Sequence, residues 1–119
     1  MKVLVVDDEE MIRVVTSSLL RVLGHEPVQA ESGEEVIRLL TDPQHGVDLI
    51  LLDENMQPMD GWATLKCMND LNVRIPVIIC SGRPIEPADY PVELSPLVMG
   101  TLLKPYSVTS LRRTLNPIL

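Results

Sequence analysis

The chain has no Phe, and aromatics make up 3% of its 119 residues, so any core built from it is aliphatic. Its two cysteines, Cys67 and Cys80, form no CxxC pair and no ligand spacing with His25 or His45. That removes a disulfide framework and a zinc site, and leaves two buried thiols suited to a reducing compartment. Basic residues are few: 10 Lys and Arg against 17 Asp and Glu give a net charge of −7. A nucleic-acid surface is excluded, because phosphate backbones need clustered cations. The one basic pair, Arg112-Arg113, stands near the end of an expected helix, where it complements the dipole. No apolar run approaches the roughly 18 residues that span a bilayer. The amino terminus opens directly into a strand, with no signal-peptide pattern, so the expectation is a cytosolic chain without direct membrane contact.

What is present is a hydrophobic fraction of 45%, enough for a layered core in one domain over residues 1–119. Lys2 to Val6 is a short apolar run ending in Asp7-Asp8-Glu9-Glu10. Ile12, Val15, Leu19 and Leu23, with Val22, recur at helical spacing, and Gly24 closes that helix. Pro27 to Ala30 reads as a second strand. Ser32 with Glu35 reads as a capping box opening a helix through Leu39-Leu40. Asp48 to Leu52 is a third strand, long and apolar enough to be buried on both faces, and it ends at Asp53. Asp60 can cap a helix from Gly61 to Leu71 that carries Trp62, Leu65 and Met68 inward. Ile75 to Cys80 is a fourth strand ending at Ser81-Gly82. Pro84, Pro87, Pro91 and Pro96 then forbid a regular helix, leaving a loop with a turn or two around Ser95 to Met99. Gly100 to Leu103 is a fifth strand leading to Lys104-Pro105-Tyr106, and Ser107 caps a last helix through Leu115. Alternating strands and helices imply right-handed crossovers and an α/β doubly wound, five-stranded parallel sheet.

In such a sheet the carboxyl ends of the strands share one rim, where open α/β sheets place their ligands. The first, third, fourth and fifth strands bring Asp7-Asp8, Asp53, Ser81 and Lys104 to that rim. Three carboxylates repel one another and raise at least one pKa unless a cation intervenes. With no His or Cys among them, the fitting cation is Mg²⁺ or Mn²⁺. Given a phosphoryl donor, Asp53 is the nucleophile, while the metal and Lys104 neutralise the phosphoryl oxygens and Ser81 donates to one of them. Taken singly, each residue has a plainer reading. Asp7-Asp8 could be first-turn acids, Ser81 a turn residue, Lys104 a solvated charge and Asp60 only a cap. His25 and His45 sit beside turns as solvated side chains, and Tyr106 packs or lies at a partner surface. Arg83 either reaches over the phosphoryl group or stays solvated.

Four segments carry a resemblance that spans the chain: Leu4 to Glu9, Leu51 to Met56 with Met59-Asp60-Gly61, Pro76 to Gly82, and Leu103 to Tyr106. In these the chain resembles the receiver domain of the two-component response regulator family, either standing alone or cut from a hybrid sensor histidine kinase. The resemblance implies a flavodoxin-like fold with strand order 2-1-3-4-5 and a phosphoacceptor at Asp53. It implies Mg²⁺ held by Asp8, Asp53 and the carbonyl of Asn55, with Asp7 acting through water. It implies phosphoryl contacts from Ser81 and Lys104, a cis Lys104–Pro105 bond, and slow self-dephosphorylation. The implied donor is a phosphohistidine on a sensor histidine kinase or a histidine phosphotransfer protein. Three departures stand out. Gln57 separates Met56 from Pro58, Thr101 occupies the place of the aromatic that usually rotates inward, and a Pro-rich segment replaces the family's fourth helix. The last two fall on the usual output face, so dimerisation through that face is not expected. Three other readings compete with the receiver. One is a receiver-like scaffold that no longer uses phosphate. Another is a phosphohydrolase of the haloacid dehalogenase type, whose Asp-x-Asp is broken here by Asn55. The last is a nucleotide binder, opposed by four acids where a phosphate cradle needs glycines.

Overall fold

The computed structural model describes residues 1–118; the expected domain runs to Leu119, which lies outside the described residues. Five strands form one parallel sheet in the order β2-β1-β3-β4-β5. They are β1 (Lys2–Val6), β2 (Glu26–Ala30), β3 (Leu49–Asp53), β4 (Val77–Ser81) and β5 (Val98–Leu103). Four α-helices cross between and after them: α1 (Glu10–Val22), α2 (Gly33–Leu40), α3 (Gly61–Asp70) and α4 (Val108–Leu115). The expected fold class and strand order are what the chain adopts. Pro27 is accommodated because β2 is an edge strand, with one side free of ladder partners.

The apolar runs of β3 and β4 are buried throughout because the sheet is covered on both faces. On one face Ile50, Leu52, Val77 and Ile79 pack with Val36, Leu65 and Met68 of α2 and α3. On the other, Val3, Val5, Leu51 and Ile78 pack with Leu20 of α1 and with Leu111 and Leu115 of α4. Removing a methyl-rich side chain such as Leu111, which is fully buried, costs roughly 2–5 kcal/mol in such surroundings.

Helix α1 departs from the expected stripe. Its buried residues are Thr16, Ser17 and Leu20, whereas Val15 and Val22 are 49% and 76% exposed. Small polar residues suit this contact because the Thr16 hydroxyl pairs with that of Tyr106 across the helix–loop boundary. Gly24 ends the helix at φ 86°, a left-handed conformation that costs glycine little. Ser32 accepts from the Glu35 amide to cap α2, Asp60 from the Ala63 amide to cap α3, and Ser107 pairs reciprocally with Ser110 to cap α4. Between β4 and β5 the Pro-rich segment makes only two 3₁₀ turns, Pro87–Asp89 and Ser95–Leu97, tethered to the core by Ile85, Leu94 and Leu97.

Strand boundaries shift by a residue or two. β4 starts after Pro76, which has no N–H for a ladder, and β5 starts at Val98 rather than Gly100. A register shift pairs Val77 with Val98 but Ile78 with Gly100, leaving Met99 as the extra residue. Thr101 thereby stands opposite Ile79, on the face that the Pro-rich segment covers.

Candidate functional site

Each strand end delivers its polar residue by continuing the sheet's ladder one step past the apolar run. The Asp7 amide donates to the Ala30 carbonyl, Glu54 to Cys80, and Lys104 to Ser81. Asp7 and Asp53 are consequently buried, at 2% and 4% exposure, while Asp8, next along the chain, faces solvent. Each of the three offers a carboxylate oxygen within 4.8 Å of the other two. Lys104 closes the cluster: its ammonium donates to Asp7 Oδ2 at 2.6 Å and to Asp53 Oδ1 at 2.9 Å. The Lys104–Pro105 peptide is cis, as the resemblance implied, and so is Gln57–Pro58 in the altered loop after Asp53. That loop curls back tightly. A Cβ on Gly61 would lie 2.3 Å from the Asp53 carbonyl oxygen, so only glycine fits there.

The electrostatics follow from burial and from this one cation. Loss of water pushes the Asp53 carboxyl above its ordinary pKa, and the Asp7 charge adds to that, while Lys104 and the Asn55 amide oppose it. Burial alone would lower the Lys104 pKa, but the hydrogen bonds and charges of Asp7 and Asp53 raise it above the ordinary lysine value. A cluster of hard oxygen donors with no sulfur or imidazole fits Mg²⁺ or Mn²⁺ in donor type, and two buried carboxylates share a single ammonium.

Ser81 stands at the same rim but does not point its hydroxyl at Asp53. It donates to Glu54 Oε1 at 2.9 Å. The other Glu54 oxygen accepts the Trp62 indole N–H at 3.0 Å and the Arg83 guanidinium at 2.7 Å. Burial pushes the Glu54 carboxyl up, but the bonds from Trp62, Ser81 and Arg83 outweigh it and hold its pKa below the ordinary value. Glu54, Asn55, Trp62, Ser81 and Arg83 line an open cavity of about 430 Å³ next to Asp53. Arg83 is exposed, as one of the two readings expected, and rather than reaching over Asp53 its guanidinium pairs with Glu54. His45 also differs from expectation, since its Nδ1 accepts the Val47 amide at 2.8 Å. Sequence reasoning passed over Glu54, although an acid beside the candidate nucleophile, with a Ser and an Arg at the next strand end, was the available signal.

A doubly wound sheet with buried acids and a lysine at its carboxyl rim defines a receiver-type α/β domain. The family model of the response regulator receiver domain matches residues 3–116, and the chain belongs to that family of two-component systems. It is 34% identical over 118 residues to the transcriptional regulatory protein ZraR of Escherichia coli, covering 98% of this chain and 26% of ZraR. It is 32% identical over 115 residues to the autoinducer 1 sensor kinase/phosphatase LuxN of Vibrio campbellii. That match covers 96% of this chain, which spans only 13% of LuxN. Among solved structures, the chemotaxis response regulator CheY4 of Vibrio cholerae aligns with a TM-score of 0.85 at 27% identity, covering 99% of this chain and 98% of CheY4. The receiver of Methanoculleus marisnigri aligns at 0.77 with 34% identity, covering 99% and 95%. No helix among the described residues is long and apolar enough to cross a membrane.

Proposed function

We propose that residues 1–119 act as one phosphoacceptor domain in which Asp53 takes a phosphoryl group from a phosphohistidine on a sensor histidine kinase or a histidine phosphotransfer protein. The observation that carries this reading is Lys104, held at once by the buried carboxylates of Asp7 and Asp53. One Asp53 oxygen is thus fixed, and the other is the attacking atom. The Asp53 oxygen–phosphorus bond forms as the phosphorus–nitrogen bond to the donor imidazole breaks, and the imidazole leaves with a proton from solvent. Lys104 neutralises charge on the transferring group, and Ser81 donates to one of its oxygens. Asp7, Asp8, Asp53 and the Asn55 carbonyl are the groups that would hold Mg²⁺ or Mn²⁺, which supplies charge neutralisation at the phosphoryl oxygens. Membership of the receiver family supports these roles, as does the acidic triad. The two free thiols suit a cytoplasmic setting.

The partner's approach is suggested by an apolar groove that Ile12, Val15, Pro105 and Tyr106 line beside Lys104. Met11, Val14 and Val15 extend it as exposed apolar side chains on α1. A helix bearing the phosphohistidine can cover them while its imidazole reaches Asp53. The test is transfer from a phosphorylated histidine phosphotransfer protein in the presence of Mg²⁺. A hydroxylamine-labile phosphoryl adduct, absent from Asp53→Asn, is expected. No adduct at any donor concentration leaves the scaffold reading, and continuous release of phosphate over many turnovers favours a hydrolase.

A further inference from the structure

A hydroxyl has one proton to donate, and the Ser81 proton is already committed. It goes to Glu54 Oε1, in a pocket where Ser81 is buried and its oxygen also accepts the Arg83 amide at 3.1 Å. Donation to Glu54 and donation to a phosphoryl oxygen on Asp53 therefore exclude each other. Glu54 is itself held from two further directions, by Trp62 and by Arg83. The Trp62 ring lies 6.0 Å from that of Tyr90, centroid to centroid and tilted by 42°. Tyr90 belongs to the Pro-rich segment and packs on the same core cluster as Ile79, the β4 residue that Thr101 stands opposite. A continuous set of contacts thus runs from Ser81 through Glu54 and Trp62 to Tyr90 in the Pro-rich segment, which covers the sheet face where the usual inward-rotating aromatic is missing.

We propose that Glu54 is a positioning residue that withholds the Ser81 hydroxyl until a phosphoryl group arrives, and that Trp62 and Tyr90 pass its release to the Pro-rich segment. The proposal rests on the phosphoacceptor reading of Asp53. Two things distinguish it from general electrostatics: it acts through one proton of one residue, and it moves the only Trp in the chain.

The experiment follows phosphorylation by a small acyl phosphate with Mg²⁺, reading adduct by intact mass and Trp62 emission in the same samples. Glu54→Gln keeps the shape but weakens the charge-assisted bond, and is expected to phosphorylate about tenfold faster. In a Ser81→Ala background the same substitution is expected to change the rate less than twofold, because the proton it frees is gone. The parent protein should shift its Trp62 emission in step with adduct, whereas Tyr90→Leu should form adduct with a shift reduced by half or more. An equal rate gain in the Ser81→Ala background shows that Glu54 acts only through its charge and overturns the proposal. Adduct without any emission change overturns it as well, while leaving Asp53 as phosphoacceptor. Failure of every variant to form adduct removes the phosphoacceptor reading and the proposal together.

Discussion

Replacing Lys104 by Met tests the electrostatic logic of the rim in the absence of any ligand. The substitution keeps the stem's volume but leaves Asp7 and Asp53 as adjacent buried charges, 2% and 4% exposed, without the ammonium that contacts both. Breaking a fully buried pair costs roughly 3–5 kcal/mol. The Lys104 side chain is 19% exposed, so a loss of about 2–3 kcal/mol at pH 7 is the expected result. For 119 residues each kcal/mol moves the midpoint by about 4 °C, so Tm should fall by about 8–12 °C in EDTA. The sign of the pH dependence is fixed by the two shifts. Because its folded pKa is raised, the stabilisation from Lys104 is complete below the ordinary lysine value and lost only in strong alkali. The deficit should therefore be flat from about pH 6 to 9. Asp53, whose folded pKa is also raised, takes up its proton before an ordinary Asp does as the solution is acidified. The deficit should then begin to shrink already above the ordinary Asp value of about 4, and adding Asp53→Asn to Lys104→Met should recover at least half of it. Urea denaturation with constant m-values is the assay. A variant within about 0.5 kcal/mol of the parent, or a deficit unchanged at pH 3, refutes the reasoning.

Two further outcomes follow from single residues. Gly61→Ala drives a Cβ into the Asp53 carbonyl, and overpacking against backbone should cost about 1–3 kcal/mol and displace the acceptor, read as lower stability with lost phosphorylation. Asp8 is exposed and has no resolved bond to Lys104, so Asp8→Asn should leave metal-free stability within about 0.5 kcal/mol while abolishing the rise in Tm that millimolar Mg²⁺ gives the parent, as followed by calorimetry.

Much of this architecture was readable from pattern alone. Apolar runs ending in Asp7, Asp53, Ser81 and Lys104 are long enough for strands and too short for helices, and cover on both faces makes β3 and β4 uniformly apolar, whereas the edge strand β5 is mixed. The caps at Ser32, Asp60 and Ser107 were legible for the same local reason, since each side chain satisfies an amide three residues ahead. Tertiary contacts were less accessible. Thr16 and Ser17 face the sheet because a small helix surface and the Tyr106 hydroxyl meet there, which no apolar periodicity signals. The Glu54 contacts join residues 8, 27 and 29 positions apart, and become visible only once the third and fourth strand ends are neighbours.

The most direct check on Asp53 as phosphoacceptor is intact mass after exposure to Mg²⁺ and a small acyl phosphate, for the parent chain and for Asp53→Asn side by side. A single phosphoryl group on the parent and none on the variant is the expected result. An unmodified parent, or the same adduct on both proteins, contradicts the role assigned to Asp53.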